Sequence, residues 1–189
     1  VLGRITPDYE IVFVNDGSTD KTLELLIEMQ SGNEHLVVID LARNFGKEIA
    51  MTAGIEAAQG DAVIPIDADL QDPPELIEAF VAKWREGYDV VYGTRSQRRG
   101  ETWFKLFSAN AFYRLINRIS DTPIPPNTGD YRLLDRKVVE ALRKMPERAR
   151  FMKGLFAWVG FRQTSVEYAR DARAAGQTKW RYWKLWNFA

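Results

Sequence analysis

The chain has 189 residues, 46% hydrophobic and 28% charged, enough for one ordinary globular core. It has no cysteine and a single histidine, His35, which excludes disulfides, thiolate metal sites, cysteine nucleophiles and His-rich metal sites, and disfavours a histidine triad. The net charge of zero hides a split: residues 1–94 carry 6 basic and 18 acidic side chains, net −12, and residues 95–189 carry 20 basic and 8 acidic, net +12. Such a split suits an acidic half that handles a cation and a basic half that faces anions, or two halves that attract each other across one fold.

Tyr9 to Val14 (YEIVFV) predicts a buried strand. It runs into Asn15-Asp16-Gly17-Ser18-Thr19-Asp20, a dense turn signal. Thr22 to Met29 has helical apolar spacing at Leu23, Leu26 and Ile27. Leu36 to Ile39 predicts a second strand ending at Asp40, and Glu48 to Ala58 a helix ending near Gly60. Ala62 to Ile66 predicts a third strand running into Asp67-Ala68-Asp69, and Pro74 suits the first turn of a helix reaching about Glu86. Asp89 to Tyr92 predicts a fourth strand. Strands alternating with helices imply an α/β fold with a mostly parallel sheet, whose ligands bind beyond the carboxyl ends of the strands. Asp16 and the Asp67/Asp69 pair would share that rim.

After Gly100 the texture changes. Trp103 to Ile119 is a helix candidate with a broad apolar face and Lys105, Arg114 and Arg118 on its polar side. Asp121 to Gly129 reads as a proline-rich loop, Arg136 to Lys144 as a helix and Phe151 to Phe161 as an apolar segment. The last stretch sets Trp180, Tyr182, Trp183, Trp186 and Phe188 among Lys179, Arg181 and Lys184. There is no internal repeat, no signal peptide and no apolar run near the roughly 20 residues that span a bilayer.

The sharpest motif is Asp67-Ala68-Asp69-Leu70-Gln71-Asp72-Pro73-Pro74-Glu75. Strand alternation would send both flanking acids to one side. There they can hold Mg²⁺ or Mn²⁺ while diphosphate oxygens fill other positions, and the metal would offset charge on a leaving nucleoside diphosphate. Capping a strand-to-helix turn is the plain alternative for a bare D-x-D.

With Val14-Asn15-Asp16-Gly17-Ser18-Thr19-Asp20, Leu41-Ala42-Arg43-Asn44-Phe45-Gly46-Lys47, Gly93-Thr94-Arg95 and Thr128-Gly129-Asp130-Tyr131-Arg132, in that order, the chain closely resembles the family-2 glycosyltransferases over almost its whole length. Within them it is similar to the polyprenyl-phosphate branch, which includes bactoprenol glucosyltransferases and dolichyl-phosphate mannosyltransferases. The resemblance implies a single GT-A-type α/β domain over residues 1–189. Residues 1–100 would bind the nucleotide-sugar. Residues 101–189 would face acceptor and membrane through amphipathic juxtamembrane helices. It further implies that Asp16 meets the base or ribose, that Asp67 and Asp69 serve the diphosphate and its metal with Asp69 the direct ligand, and that Gln71 lies near the donor sugar. Asp130 matches the catalytic base, and Arg95 would meet a phosphate. Thr178 and Lys179, in Gly176-Gln177-Thr178-Lys179-Trp180, match a Gly-x-Ser-Lys-type element and join Arg132 near acceptor or donor phosphates. Plain alternatives stand beside these roles. Asp16 can shape an Asx-turn, Arg95 can be a surface arginine, and Asp130 can pair with Arg132 or Arg136.

The implied reaction inverts the anomeric centre, with glucose from UDP-glucose passing to undecaprenyl phosphate or a similar polyprenyl phosphate at the cytoplasmic face of the membrane. Mannose from GDP-mannose passing to a dolichyl-type phosphate is the alternative. A phosphate acceptor, with a second pKa of about 6, is mostly dianionic at neutral pH. Asp130 beside it would repel it unless cations intervene, and Arg95, Arg98, Arg99, Lys105 and Lys179 are the candidates. Trp103 to Ile119 and the tryptophans at 180, 183 and 186 read as an interfacial helix and an aromatic belt, or as core-packing segments. The resemblance places a further strand before Val1 and membrane helices beyond Ala189. No nucleic-acid partner is expected, and homo-oligomerisation is open. Two rivals remain: a phosphatase using the first Asp of D-x-D as nucleophile, which would put that motif on the first strand, and a nucleotide-sugar binding module without catalysis.

Overall fold

The computed structural model describes residues 1–69, 71–95, 128–145 and 152–168. In chain order they form α1 (Leu2–Ile5), β1 (Ile11–Asn15), α2 (Thr22–Ser31), β2 (Leu36–Asp40), α3 (Lys47–Ala57), β3 (Ala62–Val63), α4 (Leu76–Arg85), β4 (Val90–Arg95), β5 (Thr128–Asp135), α5 (Arg136–Arg143), α6 (Met152–Trp158) and β6 (Gln163–Tyr168). The helix expected over Trp103 to Ile119, all but the end of the loop from Asp121 to Gly129, and the aromatic-basic stretch after Lys179 lie outside the described residues. Among the described residues, no helix is long and apolar enough to cross a membrane.

β1 and β2 pair in parallel from Ile11↔Leu36 to Asn15↔Asp40. α2 makes the crossover that parallel neighbours require. The other four strands run in the order β3-β5-β4-β6. β5 is antiparallel to β3 and β4, while β6 is parallel to β4. The α/β character follows the expectation from sequence, but β5 makes the larger sheet mixed.

The short α1 and the strands β5 and β6 are new relative to the sequence-based expectation. β5 and β6 do not show the apolar run or clean alternation that marks a strand, because β5 carries Asp130 and Arg132 and β6 is largely polar. The expected third strand is also shorter. Its ladder stops after Val63↔Leu134, just before Pro65, which has no N–H to continue it. Asp67 and Asp69 therefore sit in an irregular segment and turn beyond β3.

The core lies on both faces of the larger sheet, as pleating dictates. Tyr131 and Leu133 of β5 and Val91 of β4 meet Ile77 and Phe80 of α4. Leu134 and Val90 turn the other way, to Ile55 of α3, Val138, Val139 and Leu142 of α5, and Met152 and Phe156 of α6. Asp135 caps α5 by accepting from the Lys137 N–H at 2.9 Å and also accepts from the Trp84 indole at 2.7 Å, so one carboxylate ties the two layers together. Arg136 donates to the carbonyls of Ala58 and Gly60, satisfying the end of α3.

Candidate active site

At the end of β1, the buried Asn15 donates to Asp40 at 2.8 Å and accepts from the Ser18 N–H at 3.3 Å. Asp16 follows it at the rim. Its carboxylate accepts from the Phe45 N–H at 2.7 Å and the Gly46 N–H at 3.0 Å, and the Asn44 amide donates to its carbonyl at 3.0 Å. Asp16 therefore staples two loops together rather than closing an Asx-turn of its own. The close approach needs Gly17, at φ +64°, because a Cβ there would lie 2.4 Å from the Asn44 nitrogen.

The stapled loop delivers Lys47, the first residue of α3. Its ammonium donates to Asp67 at 2.8 Å and pairs with Asp130 at 2.7 Å. One cation thus joins the first acid of the D-x-D motif to the acid on β5. Burial works to lower the pKa of Lys47, and Asp130 and Asp67 together outweigh it and raise the pKa. Asp130 is the more shielded carboxylate, with its side chain 16% exposed against 39% for Asp67. The ion pairs open to Asp130 from sequence, Arg132 or Arg136, give way to Lys47. Arg136 is spent on α3, and Arg132 turns inward.

Arg132 is 4% exposed. It donates to the Gly129 carbonyl at 2.8 Å and stacks over Phe156, its guanidinium carbon 4.2 Å from the ring centre. Burial lowers its pKa to about 10, against the opposing pull of nearby Asp130. It underpins the Asp130 strand from within the core and does not sit on the open rim.

The loop after β3 is held at its far end. Asp69 accepts from the Gln71 N–H at 3.2 Å, and Gln71 is partly exposed. Asp72 is 3% exposed and accepts from the Tyr168 hydroxyl, while Tyr131 donates to the Pro73 carbonyl at 2.8 Å. Burial pushes the Tyr131 phenol well above its usual pKa, which keeps it a donor. Gly93 makes this possible. A Cβ there would fall 2.7 Å from the Tyr168 ring, so the glycine of Gly93-Thr94-Arg95 clears the path of a tyrosine that pins the aspartate loop. Nothing in the sequence reading connected these residues, nor gave Lys47 a role. Its place at the end of the Asn44-Phe45-Gly46 turn was the only signal. Arg95 lies on β4 by its backbone, and Thr178 and Lys179 lie outside the described residues.

Among the described residues, no group of three or more His, Cys, Asp or Glu side chains converges on one point. Asp67 and Asp69 are hard oxygen donors of the kind that suit Mg²⁺ or Mn²⁺, and two of them fit a metal completed by diphosphate and water rather than a protein cage.

The mixed α/β sheet flanked by helices is a GT-A fold, which solved structures share. The chain matches a TarS fragment from S. aureus in complex with UDP (TM-score 0.54, 19% identity, 85% of this chain and 49% of that one). It also matches the mannosyltransferase PcManGT from Pyrobaculum calidifontis in complex with GDP-Man and Mn²⁺ (TM-score 0.55, 20% identity, 84% of this chain and 45% of that one). The model of glycosyl transferase family 2 matches residues 1–143, and the chain belongs to that family. It is 64% identical over its full length to an uncharacterised glycosyltransferase of Synechocystis, covering 59% of that protein. It is 48% identical over 182 residues to a prophage bactoprenol glucosyl transferase homolog of Escherichia coli, covering 96% of this chain and 60% of that one. With the bactoprenol glucosyl transferase of Shigella phage SfV it shares 47% identity over 96% of this chain and 59% of that one. The chain thus spans about three-fifths of the length of the curated relatives it matches.

Proposed function

We propose that the protein to which this chain belongs transfers a hexose, glucose from UDP-glucose, to a polyprenyl phosphate such as undecaprenyl phosphate, with inversion, at the cytoplasmic face of a membrane. The observation that carries the reading is the meeting of Asp67 and Asp130 on one ammonium. In this reading Asp67 serves the donor and Asp130 the acceptor, and a single displacement brings donor and acceptor to one centre. The relatives named bactoprenol glucosyl transferase support glucose and a bactoprenol-type acceptor.

In this reading Asp16 contacts the base or ribose, Gln71 lies near the sugar, and Arg95, Thr178 and Lys179 meet phosphates. Arg132 supports the strand that carries Asp130 from within the core. Asp67 and Asp69 would hold Mg²⁺ or Mn²⁺, which would offset charge on a departing diphosphate. An acceptor phosphate oxygen bonds to C1 as the C1–oxygen bond to the diphosphate breaks, and UDP leaves with the electron pair. An ionised phosphate has no proton to lose, so Asp130 orients the acceptor and sets its electrostatic surroundings. The donor-handling first hundred residues and the acceptor-handling remainder share one sheet through β5.

The test is a donor screen on membranes carrying the full-length protein with added polyprenyl phosphate. Transfer from UDP-glucose is expected. Transfer from GDP-mannose alone would replace the donor, and failure of every nucleotide-sugar to label lipid would overturn the reading.

A further inference from the structure

The proposed reaction brings a phosphate dianion toward Asp130. At about 4 Å, two like charges near a protein surface repel by roughly 4 kcal/mol. A cation must stand between them, and Lys47, from the acidic first half of the chain, is one. Lys47 lies 2.7 Å from Asp130, and its side chain is 49% exposed. An ammonium has three donors. Asp130 and Asp67 take two, which leaves one for a ligand arriving from solvent.

We propose that Lys47 is a binding residue for the acceptor phosphate, held in place by Asp130. The inference rests on the reading of the acceptor as a lipid phosphate. One feature argues for the acceptor rather than the donor diphosphate, and two more make Lys47 a fixed anion site. Asp130 is the deeper partner, so its attraction for the ammonium is less screened by water than that of Asp67. Lys47 opens α3, an 11-residue helix whose positive end reinforces an anion site. Its backbone cannot drift, because Asp16 grips the two preceding N–H groups. The side chain can therefore release Asp67 as the donor arrives while keeping Asp130, and present its remaining donors to a phosphate oxygen. In this arrangement Asp130 aims a cation at the acceptor instead of removing a proton from it.

The experiment compares wild type with Lys47→Met and Lys47→Arg in the full-length protein, with UDP-glucose and a short-chain polyprenyl monophosphate each varied in turn. Loss of one charge-assisted hydrogen bond should raise the acceptor KM of Lys47→Met by about tenfold or more. The donor KM should move by less than about threefold, and Lys47→Arg should recover most of the loss. A raised donor KM with the acceptor KM unchanged would assign Lys47 to the diphosphate and overturn the proposal, as would wild-type kinetics in both variants. If Lys47→Met does not fold, Lys47→Gln, which removes the charge but keeps a polar side chain, decides by which of the two KM values rises. A wild-type protein that labels no polyprenyl phosphate sinks the functional reading itself, whereas an active wild type with unaffected variants sinks only the role of Lys47.

Discussion

Asp67 and Asp72 stand at opposite ends of one loop and in opposite surroundings. Asp67 is half in water, its partner the ammonium of Lys47. Asp72 is buried and bound to a tyrosine hydroxyl. The Asp67 end is held by charges that an arriving ligand can outbid, as exposed pairs are cheap to exchange. The other end is held by hydrogen bonds out of reach of water, where losing a partner costs the full desolvation penalty. The difference separates the part of the loop free to handle ligand from the part that keeps it in place.

The largest expected effect breaks the comparison at its chemical end. Asp130→Asn should weaken the ion pair that aims Lys47 and cut turnover by about 10- to 100-fold while UDP binding, read by titration calorimetry, persists. Unchanged turnover would remove Asp130 from the reaction. Next comes the buried end. Tyr168→Phe removes the hydroxyl from Asp72 and should cost about 1.5–3 kcal/mol of unfolding free energy in urea. Turnover should be spared where the protein is fully folded. A turnover loss there would mean that the buried peg also sets the geometry of the aspartates. The smallest effect sharpens the contrast away from the loop. Asp135→Asn keeps the α5 cap but removes the acceptor of the Trp84 indole and should cost about 1 kcal/mol, with both KM values unchanged. A shift in either would show that the layers joined through Trp84 and Asp135 transmit strain to the rim.

Much of the first half was legible in sequence. The apolar run Ile11–Val14, the turn at Asp16 and the helix expected from Glu48, which opens one residue earlier, each follow local rules that tertiary contacts did not override. The second half was not. In Thr128–Asp135 the alternation is hidden by Arg132, a charged residue that reads as exposed yet is buried over Phe156 and on the Gly129 carbonyl. Pro65 cut the third strand short for a reason visible in sequence but not weighed there. Nor does spacing reveal that Tyr168 reaches Asp72, since that contact needs Gly93 to let the ring pass.

The sequence by itself determined the class of protein: five ordered motifs, the acids at strand ends and the residue types that suit a diphosphate and a divalent metal. Those are local matters of turn chemistry and periodicity, written in neighbouring residues. Only the tertiary structure decided which charges meet. Lys47, Asp67 and Asp130 come from three distant segments, and their ion pairs depend on β5 entering the sheet antiparallel between β3 and β4. Electrostatic pairing acts through space and falls off over a few ångströms, so no reading along the chain could have found the cation at the centre of the site.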